Sequence, residues 1–186
     1  MAANVERRIA LMGYRSVGKS SLCIQFCENR FGDSYDPTIE NTFSKDMKFN
    51  NKTYKLSLID TAGQDEYSLV PKHYSVDIDG YVFVYAVDST KSFHVIESIY
   101  EKVLELRGRK NVPLILVGNK TDVIDEREVS ESDGQRMAEK IGVPFVESTA
   151  RDASAVKSIF ELILTEIEIA NGNIVRKKKE PPCVIS

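Results

Sequence analysis

Apolar residues gather into three near-continuous runs, Ile9 to Met12, Tyr81 to Val87 and Leu114 to Val117. Runs without polar alternation predict strands covered by helices on both faces, as in a parallel sheet. Helix-length patterns lie between them. Lys19 to Phe26 suits a helix directly after the first run. Val156, Ile159, Phe160, Ile163, Leu164 and Ile167 recur at three- and four-residue steps, which predicts one apolar helical face packed on the core. Thr42 to Phe49 and Thr53 to Ile59 flank Asn50-Asn51, and asparagine tolerates the positive φ of a tight hairpin turn. That hairpin adds one antiparallel edge strand to an otherwise parallel sheet. The pattern as a whole predicts an open, doubly wound α/β domain whose ligand sits at the carboxyl ends of the strands.

A chain of 186 residues with 42% hydrophobic content can bury one core and is short for two. From Asn171 the periodicity stops, and Asn-Gly, a basic run and Pro181-Pro182 follow, so residues 171–186 are expected to form a flexible tail after a domain of residues 1–170. The formal net charge is −3, with the segment Arg176 to Glu180 contributing +3 and the remainder −6. Basic charge confined to one end implies no nucleic-acid surface. No signal peptide is expected, because Met1 to Arg8 are polar and charged and the first apolar run stops at Gly13; no stretch approaches the roughly 20 apolar residues of a membrane span. Cys23, Cys27 and Cys183 make no secreted-type framework, which fits a reducing compartment. Cys23 and Cys27 lack neighbouring ligands for a metal and read as inert thiols. His73 and His94 stand apart from any cysteine or carboxylate cluster and carry no zinc or catalytic role.

Between the first strand and its helix, residues 13 to 20 read Gly-Tyr-Arg-Ser-Val-Gly-Lys-Ser, a complete GxxxxGK[ST] loop. Glycines at 13 and 18 let the backbone turn tightly so that successive N–H groups and the helix N-terminus face an anion. Lys19 would bridge the terminal phosphates and Ser20 would ligate magnesium. Three further segments follow at strand ends. Ile59-Asp60-Thr61-Ala62-Gly63 offers a carboxylate that holds magnesium through water and a glycine N–H for the γ-phosphate. Gly118-Asn119-Lys120-Thr121-Asp122 is an NKxD element. The Asp122 carboxylate would accept from the N1–H and 2-amino groups of guanine, donors that adenine lacks, and sites of this kind reject the analogue by about 10⁴ to 10⁵. Asn119 and the Lys120 stem would hold the loop and cover the base. In Glu147-Ser148-Thr149-Ala150-Arg151, the Ala150 N–H would meet the guanine oxygen.

The segments GYRSVGKS, SYDPTIENTF, DTAGQDEY and GNKTD resemble the Ras superfamily of small GTPases, and within it the Rheb family. The Rheb-like marks are Arg15-Ser16 in the phosphate loop and Asn41-Thr42-Phe43 after the effector segment. The resemblance spans about residues 7 to 170 and the C-terminal signal. It implies a single P-loop GTPase domain with a six-stranded sheet, binding GTP or GDP with Mg2+. Nucleotide contacts are then implied for Gly13, Ser16, Val17, Gly18, Lys19, Ser20, Ser21, Phe31, Gly32, Tyr35, Thr38, Gly63, Asn119, Lys120, Asp122, Thr149 and Ala150, with Ser20, Thr38 and Asp60 around the metal. Tyr35 to Glu40 would be the first switch, with Thr38 ligating magnesium only when the γ-phosphate is present, and Asp60 to about Tyr74 the second. Phe31 would lie against the base edge.

Hydrolysis of GTP to GDP and phosphate is expected to be slow; Ras itself, a relative, turns over on the order of 10⁻⁴ s⁻¹ unaided. Gln64 holds the water-orienting position but is given only moderate weight, and Tyr35 is expected to close over the phosphates and influence the rate. Arg15 lies where a Ras-type activator would insert an arginine, which suits instead a tuberin-type activator supplying an asparagine. Thr149-Ala150-Arg151 departs from the family's usual Ser-Ala-Lys, leaving open how Arg151 packs. Cys183-Val184-Ile185-Ser186 fits a CaaX signal for farnesyltransferase. The basic run supplies the second membrane signal that one lipid chain needs. The resemblance further implies a monomer on the cytoplasmic face of endomembranes (lysosome, Golgi and ER) and in the cytosol, with the TOR kinase complex as effector. Two other classes stay in view: an adenine-specific P-loop ATPase or kinase, and a GTP-locked scaffold that scarcely hydrolyses.

Overall fold

Asn50 and Asn51 both adopt positive φ, 47° and 60°, the twist that lets a two-residue turn join antiparallel strands. They link β2 (Glu40–Phe49) to β3 (Lys52–Thr61), as the sequence predicts. The computed structural model describes residues 5–32, 38–72, 76–108 and 112–176. The other elements are β1 (Val5–Met12), α1 (Lys19–Glu28), β4 (Gly80–Ala86), α2 (Thr90–Leu106), β5 (Leu114–Asn119), α3 (Glu131–Ile141), β6 (Phe145–Glu147) and α4 (Ala153–Ala170).

The six strands lie in the order β2-β3-β1-β4-β5-β6. β2 alone runs antiparallel, against β3, while β1 pairs in parallel with both β3 and β4. Along β4 the continuous apolar run divides by parity. Val82, Val84 and Ala86 join the core layer that includes Leu22, Phe26, Phe160 and Ile163 of α1 and α4. Tyr81, Phe83, Tyr85 and Val87 face Val95, Ile96, Ile99 and Ala138 of α2 and α3. Both faces of the sheet are therefore covered by helices, which explains why no polar residue interrupts the run.

β1 exceeds its apolar run where only one face is buried. β1 begins at Val5 and alternates through Glu6 and Arg8 before its fully buried half. Arg7, on the inward parity, donates from Nε to Glu168 Oε1 at 2.9 Å. Glu168 is only 1% exposed and also accepts from Asn173 Nδ2 at 2.7 Å. The Asn173 N–H donates to the Glu168 carbonyl at 2.8 Å, so the expected boundary at 170 falls beside a hydrogen-bonded turn. Among the described residues no helix is long and apolar enough to cross a membrane.

Candidate functional site

The carboxyl ends of β1, β3 and β5 meet along one edge of the sheet, and residues 13 to 20 bridge β1 to α1 there. The helices differ at their N-termini. Ser89, Ser130 and Asp152 cap α2, α3 and α4 with a side-chain oxygen. Gly18, in the left-handed region at φ 96°, gives α1 no such cap. The first-turn amides of α1 thus lack the side-chain acceptor that the other three helices provide, which suits an anion. A side chain at 18 would run into the Asn119 amide.

Lys19 is buried, and its Nζ lies 3.0 Å from the Gly13 carbonyl and 2.9 Å from that of Tyr14. Burial lowers its pKa to about 8, with the Asp60 carboxylate opposing the shift. Ser16 takes φ 60°, Val17 is buried in the core, and Ser21 follows half-buried in the first turn of α1.

The three residues expected around a metal converge. Ser20 Oγ donates to Asp60 Oδ2 at 2.6 Å and lies 2.9 Å from Thr38 Oγ1. Asp60 is fully buried, and its Oδ1 has no protein partner. Burial raises its pKa despite the Ser20 hydrogen bond and the Lys19 charge. Hydroxyl and carboxylate oxygens, one of them buried without a partner, fit magnesium, which takes few protein ligands and completes its octahedron with water and phosphate oxygens. No group of three or more His, Cys, Asp or Glu gathers among the described residues, so a dedicated protein cage is not what this edge provides.

Gly63 and Gln64 close against the loop. The backbone of Gly63 approaches Arg15 so nearly that a Cβ at 63 would lie 2.5 Å from the Arg15 Cα. The Gln64 N–H donates to the Gly13 carbonyl at 3.0 Å. Its side chain turns inward, with Nε2 3.4 Å from Thr61 Oγ1 and Oε1 buried without a partner. The Arg15 guanidinium sits 5.6 Å from the centroid of the Tyr14 ring, which Lys91 Nζ also approaches at 5.2 Å. Tyr35, expected over the phosphates, and Cys183, expected to carry a lipid, lie outside the described residues.

On the other side, Asn119 Nδ2 donates to the Val17 carbonyl at 2.8 Å and ties the NKxD segment to the loop. Asn119 Oδ1 is buried without a partner. Lys120, at φ 68°, pairs with Asp88 at 3.0 Å. Asp122 accepts from Thr149 Oγ1 at 2.6 Å and from Arg151 Nε at 2.9 Å. Desolvation would raise its pKa, but the Thr149 hydroxyl, its own backbone N–H and Arg151 outweigh that and hold it below the ordinary aspartate value. Ala150 is buried beside them. Phe31 is exposed across the same region under the Arg151 guanidinium, and Gly32 next to it is open to solvent.

Residues 8–169 match the Ras family model. The chain belongs to the Ras family. Within it the relatives are of the Rheb type. The GTP-binding protein Rheb homolog of Drosophila melanogaster is 52% identical, covering 97% of this chain and 98% of its own. The GTP-binding protein Rheb of Homo sapiens is 50% identical over 92% of this chain and 94% of its own, and the GTP-binding protein rhb1 of Schizosaccharomyces pombe 45% over 90% and 91%. The chain is therefore a Rheb-like small GTPase, as its motifs suggest. Neither Asp88 nor Arg151 is singled out as a site residue by the motifs. Asp88 had a local signal, lying two residues past β4, whereas the place of Arg151 follows only from folding.

Proposed function

We propose that this chain is a membrane-anchored, Mg2+-dependent GTP/GDP switch with slow GTP hydrolysis, whose GTP form activates the TOR kinase complex. One observation supports the reading: at the carboxyl ends of the strands, the loop 13–20 with its uncapped helix lies between the Ser20–Thr38–Asp60 cluster on the β3 side and the Asn119–Asp122 segment on the β5 side, as a triphosphate with its metal on one side and its base on the other requires.

In this reading Lys19 and the backbone N–H groups of the loop stabilise the charge spreading over the γ-phosphoryl oxygens, and the Gly63 N–H adds a donor. Bound magnesium neutralises phosphate charge and orients the oxygens. Ser20, Thr38 and Asp60 hold it. Burial disfavours the charged forms of both Lys19 and Asp60, and an anion beside one with a cation beside the other restores them. Asp122 reads the two guanine donors while Asn119 braces the loop and Lys120 covers the base. Ser16, Val17, Gly18 and Ser21 serve the phosphates. Phe31, Gly32, Thr149 and Ala150 frame the base and sugar. Tyr35 closes over the phosphates.

The inward packing of Gln64 supports slow turnover and keeps the GTP-locked scaffold as the second reading. A tuberin-type activator would then supply what Gln64 and Arg15 do not. Cys183, farnesylated by farnesyltransferase, would act with the basic run to attach the monomer to the cytoplasmic face of lysosomal, Golgi and ER membranes. The test is to extract the purified chain and chromatograph the nucleotide released. Recovery of GDP or GTP, displaced by excess GTP and not by ATP, is expected; adenine nucleotide, or equal displacement by ATP, overturns the reading. Phosphate release from the GTP complex over hours distinguishes slow hydrolysis from a locked scaffold.

A further inference from the structure

Residues 64–70 are fastened at both ends and in the middle. At one end Gln64 is buried, with its N–H on the Gly13 carbonyl and its Oε1 without a protein partner. At the other, Val70 is buried in the core layer that holds Val95, Ile99 and Val103 of α2. Between them residues 65–68 form a compact turn. The Ser68 N–H donates to the Asp65 carbonyl at 3.3 Å. One oxygen of the Asp65 carboxylate accepts from the Tyr67 N–H at 3.0 Å, the Ser68 N–H at 2.7 Å and Ser68 Oγ at 2.8 Å. α2 ties this turn down: Lys102 Nζ donates to the Glu66 and Ser68 carbonyls at 2.7 and 2.9 Å, and Ser98 Oγ donates to the same Glu66 carbonyl at 3.4 Å.

An ammonium carries three donors, so one lysine can hold two carbonyls of a single turn at once. Bonds from a charged donor are also the stronger kind. Bringing the inward-pointing Gln64 side chain out toward the loop 13–20 requires the backbone around it to turn. That motion draws the compact unit 65–68 off α2. We propose that Lys102 is a positioning residue for GTP hydrolysis: by pinning the Glu66 and Ser68 carbonyls to α2, it keeps Gln64 turned into the protein and so restrains turnover. The inference rests on the GTPase reading given above. In that reaction water adds to the γ-phosphorus and the bond to the bridging oxygen breaks. GDP leaves with the electron pair, one water proton stays on the phosphate and the other is released. Gln64 Oε1, which could accept from that water, stays buried while the latch is closed. The Lys102 contacts lie at a partly solvated edge, so the restraint is worth about three- to tenfold in rate.

The test is single-turnover hydrolysis by the full chain loaded with GTP and Mg2+. Lys102→Met, which keeps an apolar stem and removes the donors, is expected to hydrolyse roughly three- to tenfold faster. Lys102→Arg, which still offers several donors, should stay near the wild-type rate. Because the effect runs through Gln64, Lys102→Met should bring no acceleration in a Gln64→Leu background. Hydrogen exchange at the amides of residues 65–69 should quicken in Lys102→Met and not in Lys102→Arg. A rate in Lys102→Met at or below that of wild type overturns the proposal, as does the same acceleration in the Gln64→Leu background. Equal acceleration in the Met and Arg variants, which altered packing alone would give, also overturns it. A wild-type chain that binds no GTP overturns the GTPase reading and this inference together; one that binds GTP, with Lys102→Met unaltered, overturns this inference alone.

Discussion

The two sides of the phosphate loop are built differently. On the base side, side-chain and backbone bonds cross-link three strand ends. Asn119 reaches the Val17 carbonyl, the Ser148 N–H donates to the Gly118 carbonyl at 2.8 Å, and Thr121 Oγ1 donates to the Ser148 carbonyl at 3.2 Å. Most of these groups sit on or beside a buried strand. On the switch side, the described stretch from Asp65 to Leu69 shows local bonds, such as Ser68 N–H to Asp65, and is reached by the long side chain of Lys102, whose Nζ donates to the Glu66 and Ser68 carbonyls at 2.7 and 2.9 Å. Ile39, Tyr67 and Leu69 are 89%, 85% and 90% exposed. Segments that bury so little apolar surface open at low free-energy cost. In the proposed reading the cross-linked half would read the base, while the less tethered segments would be the ones that a few contacts to the γ-phosphate reposition.

The sharpest way to break that contrast is Asp122→Ala. The side chain sits at the rim, so the fold should survive, while the preference for GTP over ATP collapses by up to about 10⁴-fold. Competition binding measures it, and a preserved preference would move base recognition away from the cross-linked half.

A smaller effect is expected from Arg7→Ala, remote from both sides. It strips the buried Glu168 of its cation, at roughly 3 kcal/mol, and should leave nucleotide preference alone. Burial alone would raise the Glu168 pKa, but the Arg7 and Asn173 hydrogen bonds outweigh it and hold the value below the ordinary one. The stabilisation is thus complete above the unfolded-state carboxylate pKa and is lost as pH falls through the lower folded-state value. Urea unfolding of wild type and variant should differ most near neutrality and converge in acid; a gap that does not narrow in acid would show that the pairing is not its source.

Much of this was legible in sequence because it is local. The loop 13–20, the Asp60–Gly63 and Asn119–Asp122 segments and the Asn50-Asn51 turn each announce themselves within a few residues. The start of β1 was not, since an apolar run marks only the doubly covered part of a strand and Glu6 and Arg8 lie where one face is open; the end of β3 was not, since Asp60 and Thr61 are buried polar residues that continue it past the apolar pattern. Contacts between distant segments such as Arg7 with Glu168 and Arg151 with Phe31 left no trace either. The inward turn of Gln64, whose Nε2 lies 3.4 Å from the hydroxyl of Thr61 at the end of β3, likewise follows only from the folded chain.

The most direct measurement is hydrogen exchange on the full chain with Mg2+, comparing GDP with a non-hydrolysable GTP analogue. The account predicts that amides of residues 38–40 and 60–70 gain protection in the triphosphate complex, while those of 114–122 and 147–151 are equally protected in both. Equal protection of the switch segments in the two complexes, or a change confined to the base side, would contradict it.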